Sequence, residues 1–293
     1  MIKTNLEKLV DLAVGGTAGH PASCDSDEKT AYDGGSFMPV AFSGINFSVR
    51  VGDPAFDWAG AHEVQPGVAV KNSCESSNEG LNALACIGNE AVIVDAKMEG
   101  KDAKLKGTLG VVTGKVCSGR VLVYFPKRVV ERITLGDQIQ IRASGTGLQL
   151  LDYPDIRVMN LGPRLLKALN PSEKGGKVRI PVAKVIPGAL MGSGLGCAGV
   201  TGDIDIQSSS PEAVRDLSLD QIRLGDLVAI QDHDASHGGR YHKGAVTVGV
   251  VVHGSSRKSG HGPGVNILFS SPKATIEPII TRKANLVELM GLQ

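Results

Sequence analysis

One stretch of the chain, residues 224–264, concentrates the side chains that could do chemistry. It holds five of the seven histidines and nine of the 38 glycines, with several aspartates among them. Imidazole and carboxylate groups are common ligands of zinc, manganese and iron, and imidazole is also the commonest acid or base near neutral pH. The stretch therefore indicates a metal site, an acid–base site, or both.

Two apolar runs frame these polar groups. Residues 227–231 and 245–252 are rich in β-branched side chains and bounded by glycines, which is typical of buried strands. Gly238 and Gly239 lie between the runs and favour a turn. We therefore predict a hairpin with a long polar tip. The eleven steps from His242 to His253 span roughly 36 Å when extended, so the polar groups should divide between the two ends of the hairpin.

We name the two groups by their place on the hairpin. The tip set is Asp232, His233, Asp234, His237 and His242, and the base set is Asp226, His253 and His261. Two further acids, Asp203 and Asp205, lie two apart on a probable strand and point to one face. Paired acids on one face are unfavourable unless they are solvated, matched by cations or bound to a metal.

These patterns give the predicted ligands and catalytic groups. We expect a divalent ion, zinc or manganese, to be held by Asp203, Asp205, Asp232, His233, His237 and His242. The predicted catalytic residues are His261, His253 and Asp226, with His261 orienting the substrate or acting as acid or base. For the acids and for the tip set, the alternative is a solvated polar face without a metal.

The glycine series around residues 192–199 invites a nucleotide-binding interpretation. Gly194, Gly196 and Gly199 match the dinucleotide fingerprint in spacing, but residues 200–206 indicate a turn and a strand where a helix is required. We therefore expect no nucleotide cofactor. The glycine series predicts that the backbone closely approaches a ligand, a metal-bound group or another subunit, and the alternative is a flexible or tight connection. The predicted ligand-binding residues are Gly192, Ser193, Gly194, Gly262 and Gly264.

Composition limits the partners. The net charge of +1 lacks the basic excess of proteins that bind nucleic acid or anionic membranes. No apolar run reaches the length of a membrane span, and the first residues do not resemble a signal peptide. Five cysteines without a close pair favour neither a disulfide framework nor a zinc ribbon. We expect a cytoplasmic homo-oligomer that binds a small molecule.

Frequent glycines and short apolar runs predict an all-β fold. We expect a layered β-sandwich with a small β-barrel lobe and a few short helices. The predicted divisions are residues 1–81, an N-terminal helix and β segment on the sandwich; 82–152, the barrel lobe; and 153–293, the sandwich with the site. Thr4 and Glu7 have the spacing of a capping box, which predicts a helix before Gly15.

The chain resembles a family of bacteria and archaea that is defined as a domain of unknown function. The likeness lies in NFSVRVGDPAFDWAG (46–60), LMGSGLG (190–196), GDIDIQ (202–207), residues 222–230 and GHGPG (260–264). It implies the β-sandwich with a barrel lobe and implies no reaction.

A weaker likeness is to the acetamidase/formamidase family, which hydrolyses amides with a metal. It lies in residues 180–182, in PGAL (187–190) and in Gly202-Asp203. Residues 194–197 depart from that family's pattern by lacking an acid and a histidine.

Two functions follow as hypotheses. The first is a metal-dependent hydrolase, or another metal-assisted enzyme, that acts on a small polar substrate and, as a hydrolase, on a C–N bond. The alternative is a non-catalytic oligomeric or small-ligand-binding protein whose glycine loops and histidines form subunit contacts. The two differ in whether the acids and histidines meet around a cavity or lie along a protomer interface.

Overall fold

The computed structural model describes residues 2–21, 28–39, 43–60, 62–96, 105–116, 119–197 and 199–292. The chain is mostly β, with five short α-helices in these residues, which confirms the predicted fold class. None of the helices there is long and apolar enough to cross a membrane.

The strands are β1 (Leu12–Ala18), β2 (Lys29–Thr30), β3 (Ser36–Phe37), β4 (Val68–Lys71), β5 (Glu90–Asp95), β6 (Leu109–Val116), β7 (Arg120–Tyr124), β8 (Gln138–Ala143), β9 (Arg157–Val158), β10 (Ser172–Lys174), β11 (Lys177–Val182), β12 (Lys184–Pro187), β13 (Ile204–Asp205), β14 (Leu227–Asp234), β15 (Arg240–His253), β16 (Gly264–Ser271) and β17 (Ile276–Ile280). The helices are α1 (Glu75–Leu84), α2 (Lys127–Val130), α3 (Pro163–Leu169), α4 (Pro211–Asp216) and α5 (Leu286–Met290).

Six antiparallel strands close a barrel in the order β1-β4-β7-β6-β5-β8. Alternate aliphatic residues of these strands fill its interior, among them Val68, Val70, Ile139 and Ile141. The barrel uses a longer stretch of the chain than the predicted residues 82–152, because strands β1 and β4 precede residue 82. The helix predicted from Thr4 is replaced by a single 3-10 turn, Leu6–Lys8, followed by β1.

Two sheets form the second part of the molecule. The larger sheet has the order β12-β14-β15-β16-β13, with β9 also paired to β16, and the smaller has the order β10-β11-β17. Successive residues of β14 face different cores: Leu227 and Ala229 pack in one apolar cluster, and Val228 and Ile230 in another. The larger sheet is therefore covered on both faces by apolar side chains.

Strands β14 and β15 are the predicted hairpin, paired from Leu227 with Val250 to Asp234 with Arg240. At the base of the hairpin, β16 lies between β15 and the short edge strand β13. Gly264 is the register partner of both His253 and Asp205. This arrangement carries residues from three distant segments to one corner of the sheet.

Candidate metal centre

The corner of the large sheet at Gly264 gathers buried acids and histidines. Asp205 lies in β13 and Asp203 just before it, while His253 ends β15 after a register shift. Both acids and His253 are buried. A Cβ atom on Gly264 would overlap the imidazole of His253 and crowd the carboxylate of Asp203. Glycine at this position is therefore what allows the side chains of the two neighbouring strands to meet.

The first group at this corner, which we call the inner triplet, comprises Asp203, Asp205 and His253. The Nε2 atom of His253 lies 2.7 Å from Oδ2 of Asp203 and 3.4 Å from Oδ1 of Asp205. The ligand atoms of the three residues all lie within 4.8 Å of one another. These distances suit one cation with three protein ligands.

A second group, the outer triplet, comprises Glu63, Asp205 and His261. The Nδ1 atom of His261 lies 2.6 Å from Oε1 of Glu63 and 3.2 Å from Oδ2 of Asp205. These ligand atoms also lie within 4.8 Å of one another. Asp205 thus faces one histidine with each of its two oxygens, and it belongs to both triplets.

Each of these imidazole nitrogens carries at most one proton but faces two carboxylate oxygens. A proton shared in this way occupies the place where a divalent cation would satisfy both carboxylates and the nitrogen together. The opposite nitrogen of His253, Nδ1, lies 2.9 Å from the carbonyl oxygen of Gly254. A backbone carbonyl on the far nitrogen is the usual support of a metal-bound histidine, because it leaves the near nitrogen free to coordinate.

Without a metal, protons must balance the charge of the three acids. Burial alone lowers the pKa of His253, but the carboxylates of Asp203 and Asp205 outweigh burial and raise it well above its usual value. The carboxylates of Asp205 and Glu63 raise the pKa of His261 to about 9. His261 is therefore a cation at neutral pH, and the carboxylates around His253 favour its protonated form as well, so the site selects positive charge.

His62 and Ser256 support the outer triplet from behind. The Nδ1 atom of His62 lies 2.6 Å from Oγ of Ser256, and its Nε2 lies 3.8 Å from Oε1 of Glu63. Burial lowers the pKa of His62, which favours its neutral form. The ring of His62 also stands 5.7 Å from that of His261. His62 therefore packs beside both side chains without adding a charge.

Sequence reasoning assigned no role to Glu63. This residue lies in a loop about 140 positions before Asp205, and no spacing rule connects the two. Its backbone has a φ of 55°, in the left-handed region that non-glycine residues rarely adopt. The loop conformation that brings Glu63 to Asp205 is visible only in a structure.

The backbone of the predicted ligand-binding residues packs against β13. The Gly192 amide donates to the Asp205 carbonyl, and the Asp205 amide donates to the Ser193 carbonyl, at 2.8 and 2.9 Å. A Cβ at Gly194 or Gly262 would overlap the carbonyl oxygen of Asp203 or Ile206, respectively. The described contacts of these residues, like those of Gly264, serve to hold the strand that carries the acids.

The tip set does not join Asp203 and Asp205, so the predicted ligand set needs correction. Asp232 has a φ of 55° at the register shift in β14, and its carboxylate accepts the amide of Gly244 at 2.7 Å. His233 is fully buried, with Nδ1 3.2 Å from Oγ1 of Thr247. Burial lowers the pKa of His233 to about 4, so it is a neutral core residue.

The other tip residues are held by a cation or lie apart. Arg240 pairs with Asp234 at 3.0 Å, and Nδ1 of His242 lies 4.0 Å from the same carboxylate. The Nδ1 atom of His237 lies 3.2 Å from the guanidinium of Arg157. Arg240 and Arg157 already place positive charge beside the tip set, and this disfavours binding of a metal cation there. The hairpin separates the tip from the base, as its length requires.

Asp226, predicted to act with His253, has other partners. Its carboxylate accepts hydrogen bonds from the Arg223 amide and from Nδ2 of Asn285, both at 2.8 Å, and it pairs with the Arg223 guanidinium at 3.2 Å. The turn before β14 and the start of α5 are joined by these bonds. The structure therefore places Asp226 in a turn and leaves His253 and His261 as the base histidines that meet Asp205.

Comparisons with known proteins cover almost the whole chain. Residues 29–167 match the N-terminal domain and residues 168–290 the C-terminal domain of a family described as "domain of unknown function (DUF4438)". The crystal structure of TM1086 is similar, with 39% identity, a TM-score of 0.88 and coverage of 98% of each chain. A search of curated proteins returned no match.

These findings do not show the likeness to the acetamidase/formamidase family. They agree with the other resemblance, to a family of unknown function, in both sequence and fold. The chain belongs to the DUF4438 family.

Proposed function

We propose that this protein is a metal-dependent hydrolase of a small polar substrate, with two divalent ions bridged by Asp205. The observation that carries the proposal is the position of Asp205, whose two oxygens each face a different histidine in a different triplet. One carboxylate shared between two neighbouring cation positions is a common design of two-metal hydrolytic sites.

Charge balance supports two ions. The inner and outer triplets together contain three carboxylates and two histidines that coordinate as neutral ligands. Two divalent cations and one hydroxide would balance these three negative charges. Ions held by these residues would also supply a hydroxide nucleophile at neutral pH.

The two positions differ in access. The side chains of Asp203, Asp205 and His253 are at most 6% exposed, whereas those of Glu63 and His261 are 16% and 20% exposed. The outer position is therefore the one that a substrate can reach. His261 or Glu63 then lies beside the reacting group, while the inner ion holds Asp205 in place.

A cavity lined by neighbours of the outer triplet, rather than by the triplet itself, suits a small substrate. It has a volume of about 500 Å³, and its walls include Ser208 and Ser256. The Ser208 amide donates to the His261 carbonyl at 3.1 Å, and Ser256 bonds to His62. Trp58 and Arg257 form other parts of the wall. An apolar ring and a cation together favour a small molecule with a polar or anionic group.

The acids and histidines also meet within a single chain. This favours the enzyme over the alternative of a non-catalytic assembly, in which the same residues would lie along a protomer interface. The predicted cleavage of a C–N bond remains part of the proposal, because a metal-bound hydroxide attacks amides as well as esters.

The experiment is a calorimetric titration of chelator-treated protein with Zn²⁺ and with Mn²⁺, followed by assays of small amides and esters with the loaded protein. We expect two ions per chain and hydrolysis that requires them. Asp205→Asn is the test variant and Asp234→Asn, at the hairpin tip, is the control. Absence of binding by either metal to the wild-type protein would overturn the proposal.

A further inference from the structure

A buried lysine connects the barrel to the segment before the acids. Lys115 lies in β6 and is completely buried. Its Nζ donates to the carbonyl of Val200 at 2.6 Å and to that of Asn82 at 2.7 Å. Val200 precedes Asp203 by three residues. The Lys115 amine therefore holds the backbone segment that leads into β13.

Two asparagines hold the same segment from other sides. Nδ2 of Asn160 donates to the Gly199 carbonyl at 2.5 Å, and Nδ2 of Asn266 donates to the Gly202 carbonyl at 2.9 Å. Asn266 is also bonded to the backbone of Lys115 in both directions, at 2.6 and 2.8 Å. The carbonyls of Gly199, Val200 and Gly202 are therefore all held by buried side chains.

The same barrel strand contacts the other half of the inner triplet. A Cβ on Gly114 would lie 2.5 Å from Cγ1 of Val252, so β6 rests directly against β15 one residue before His253. Strand β6 therefore contacts both the segment that precedes Asp203 and strand β15, which ends at His253. Burying an ammonium group here is costly, and an apolar side chain would pack the interface without that cost.

We infer that Lys115 is a positioning residue, which fixes the segment 199–202 against the barrel so that Asp203 and Asp205 reach the geometry of the metal centre. This inference rests on the proposed centre for its functional meaning. The positioning itself concerns only the backbone before β13 and is measurable without a metal.

The test variant is Lys115→Met, which fills a similar volume without a donor. Thr113→Val is the matched control, because Thr113 is buried in the same strand and its hydroxyl bonds only within the barrel, to the Leu122 carbonyl at 3.4 Å. The first readout is amide hydrogen exchange of the metal-free proteins at Asp205 and Ile206. The second is the affinity of each protein for Zn²⁺.

We expect Lys115→Met to exchange about tenfold faster at Asp205 and Ile206, the effect of losing one charge-assisted hydrogen bond, with strands β5 and β8 unchanged. Zn²⁺ binding should weaken by about tenfold, as for other changes behind a metal ligand. Thr113→Val should leave both readouts unchanged. Wild-type exchange rates at residues 205 and 206 in Lys115→Met would overturn the inference.

Two further outcomes separate this inference from the proposed function. Faster exchange in Lys115→Met, combined with no metal binding by the wild-type protein, would support positioning by Lys115 and contradict the metal centre. If Lys115→Met does not fold, Lys115→Gln replaces the ammonium with a shorter, neutral donor and removes the charge-assisted bond to the Val200 carbonyl. Wild-type exchange at residues 205 and 206 in that variant would then overturn the inference.

Discussion

The two ends of the β14–β15 hairpin contain the same kinds of side chain but are organised in opposite ways. At the base, Asp205 faces His253 and His261, and its carboxylate pairs with no arginine or lysine in the described residues. At the tip, Asp234 is paired with Arg240, and His233 is buried against Thr247. Acids and histidines therefore indicate a metal site where the shared carboxylate faces only histidines, which can give up their protons to a metal, and not where an arginine pairs with it.

The largest expected effect is that of Asp205→Asn. Because Asp205 belongs to both triplets, its loss should weaken binding of both ions by at least about 100-fold, more than the loss of an outer support. The corresponding tip variant, Asp234→Asn, should bind metal as the wild type does. Metal content after dialysis measures ion binding by both variants. Equal metal content in Asp205→Asn and the wild type would remove the contrast between the two ends.

A methyl group added at Gly264 provides a second test of the metal centre at the base. Gly264→Ala places its Cβ against His253 and Asp203, so it should remove the inner ion and leave one ion per chain. Gly110→Ala, in barrel strand β6, is the matched control, with its Cβ 2.6 Å from both Cε1 of Phe125 and the carbonyl oxygen of Tyr124.

Both alanine variants should lose about 1–3 kcal/mol of stability through overpacking. Only Gly264→Ala should lose metal. A titration that gives two ions for Gly264→Ala would place the inner ion elsewhere.

The two ends should respond to pH with opposite signs. The pKa of His261 rises to about 9 in the folded protein, so its stabilising contribution is complete below the unfolded value near 6.5 and is lost as pH rises toward 9. The pKa of His233 falls to about 4, so its contribution is lost as pH falls from 6.5 toward 4.

Urea unfolding of the chelator-treated protein measures this. The stability difference between wild type and His261→Gln should shrink from pH 6.5 to pH 9, and the difference for His233→Gln should shrink from pH 6.5 to pH 4. If the His261→Gln difference grows with rising pH instead, His261 is not held as a cation by Glu63 and Asp205.

The smallest effect is expected for Arg240→Ala. Burial alone raises the pKa of Asp234, but the Ser236 amide and Arg240 outweigh it and lower the pKa to about 2. The Arg240 side chain is 66% exposed, so solvent screens the pair, and the variant should lose about 1 kcal/mol or less. Thermal unfolding checks this value. New metal binding at the tip would show that Arg240 alone had excluded a cation there.

Local patterns in the sequence were sufficient for the hairpin and for the carboxylate pair. β-Branched runs bounded by glycines define β14 and β15. The predicted N-terminal helix fails because Gly15 and Gly16 pack against the backbone of Ile139 and Lys71, so barrel closure overrides the local capping signal.

The composition of the centre could not be predicted in the same way. Asp203 and Asp205 were joined to the tip set because those histidines cluster in sequence, whereas strand pairing carries the acids to the base. Glu63 reaches the centre through a strained loop, and its role depends on a contact across almost 200 residues, with His261. Such contacts depend on the register of the whole sheet, which residue spacing does not encode.

The most direct test of the central claim is anomalous diffraction from crystals of the protein grown with Zn²⁺. We expect two peaks, with the Asp205 carboxylate between them. One peak should lie among Asp203, Asp205 and His253, and the other among Glu63, Asp205 and His261. A peak at the hairpin tip, or no peak beside Asp205 at saturating Zn²⁺, would contradict it.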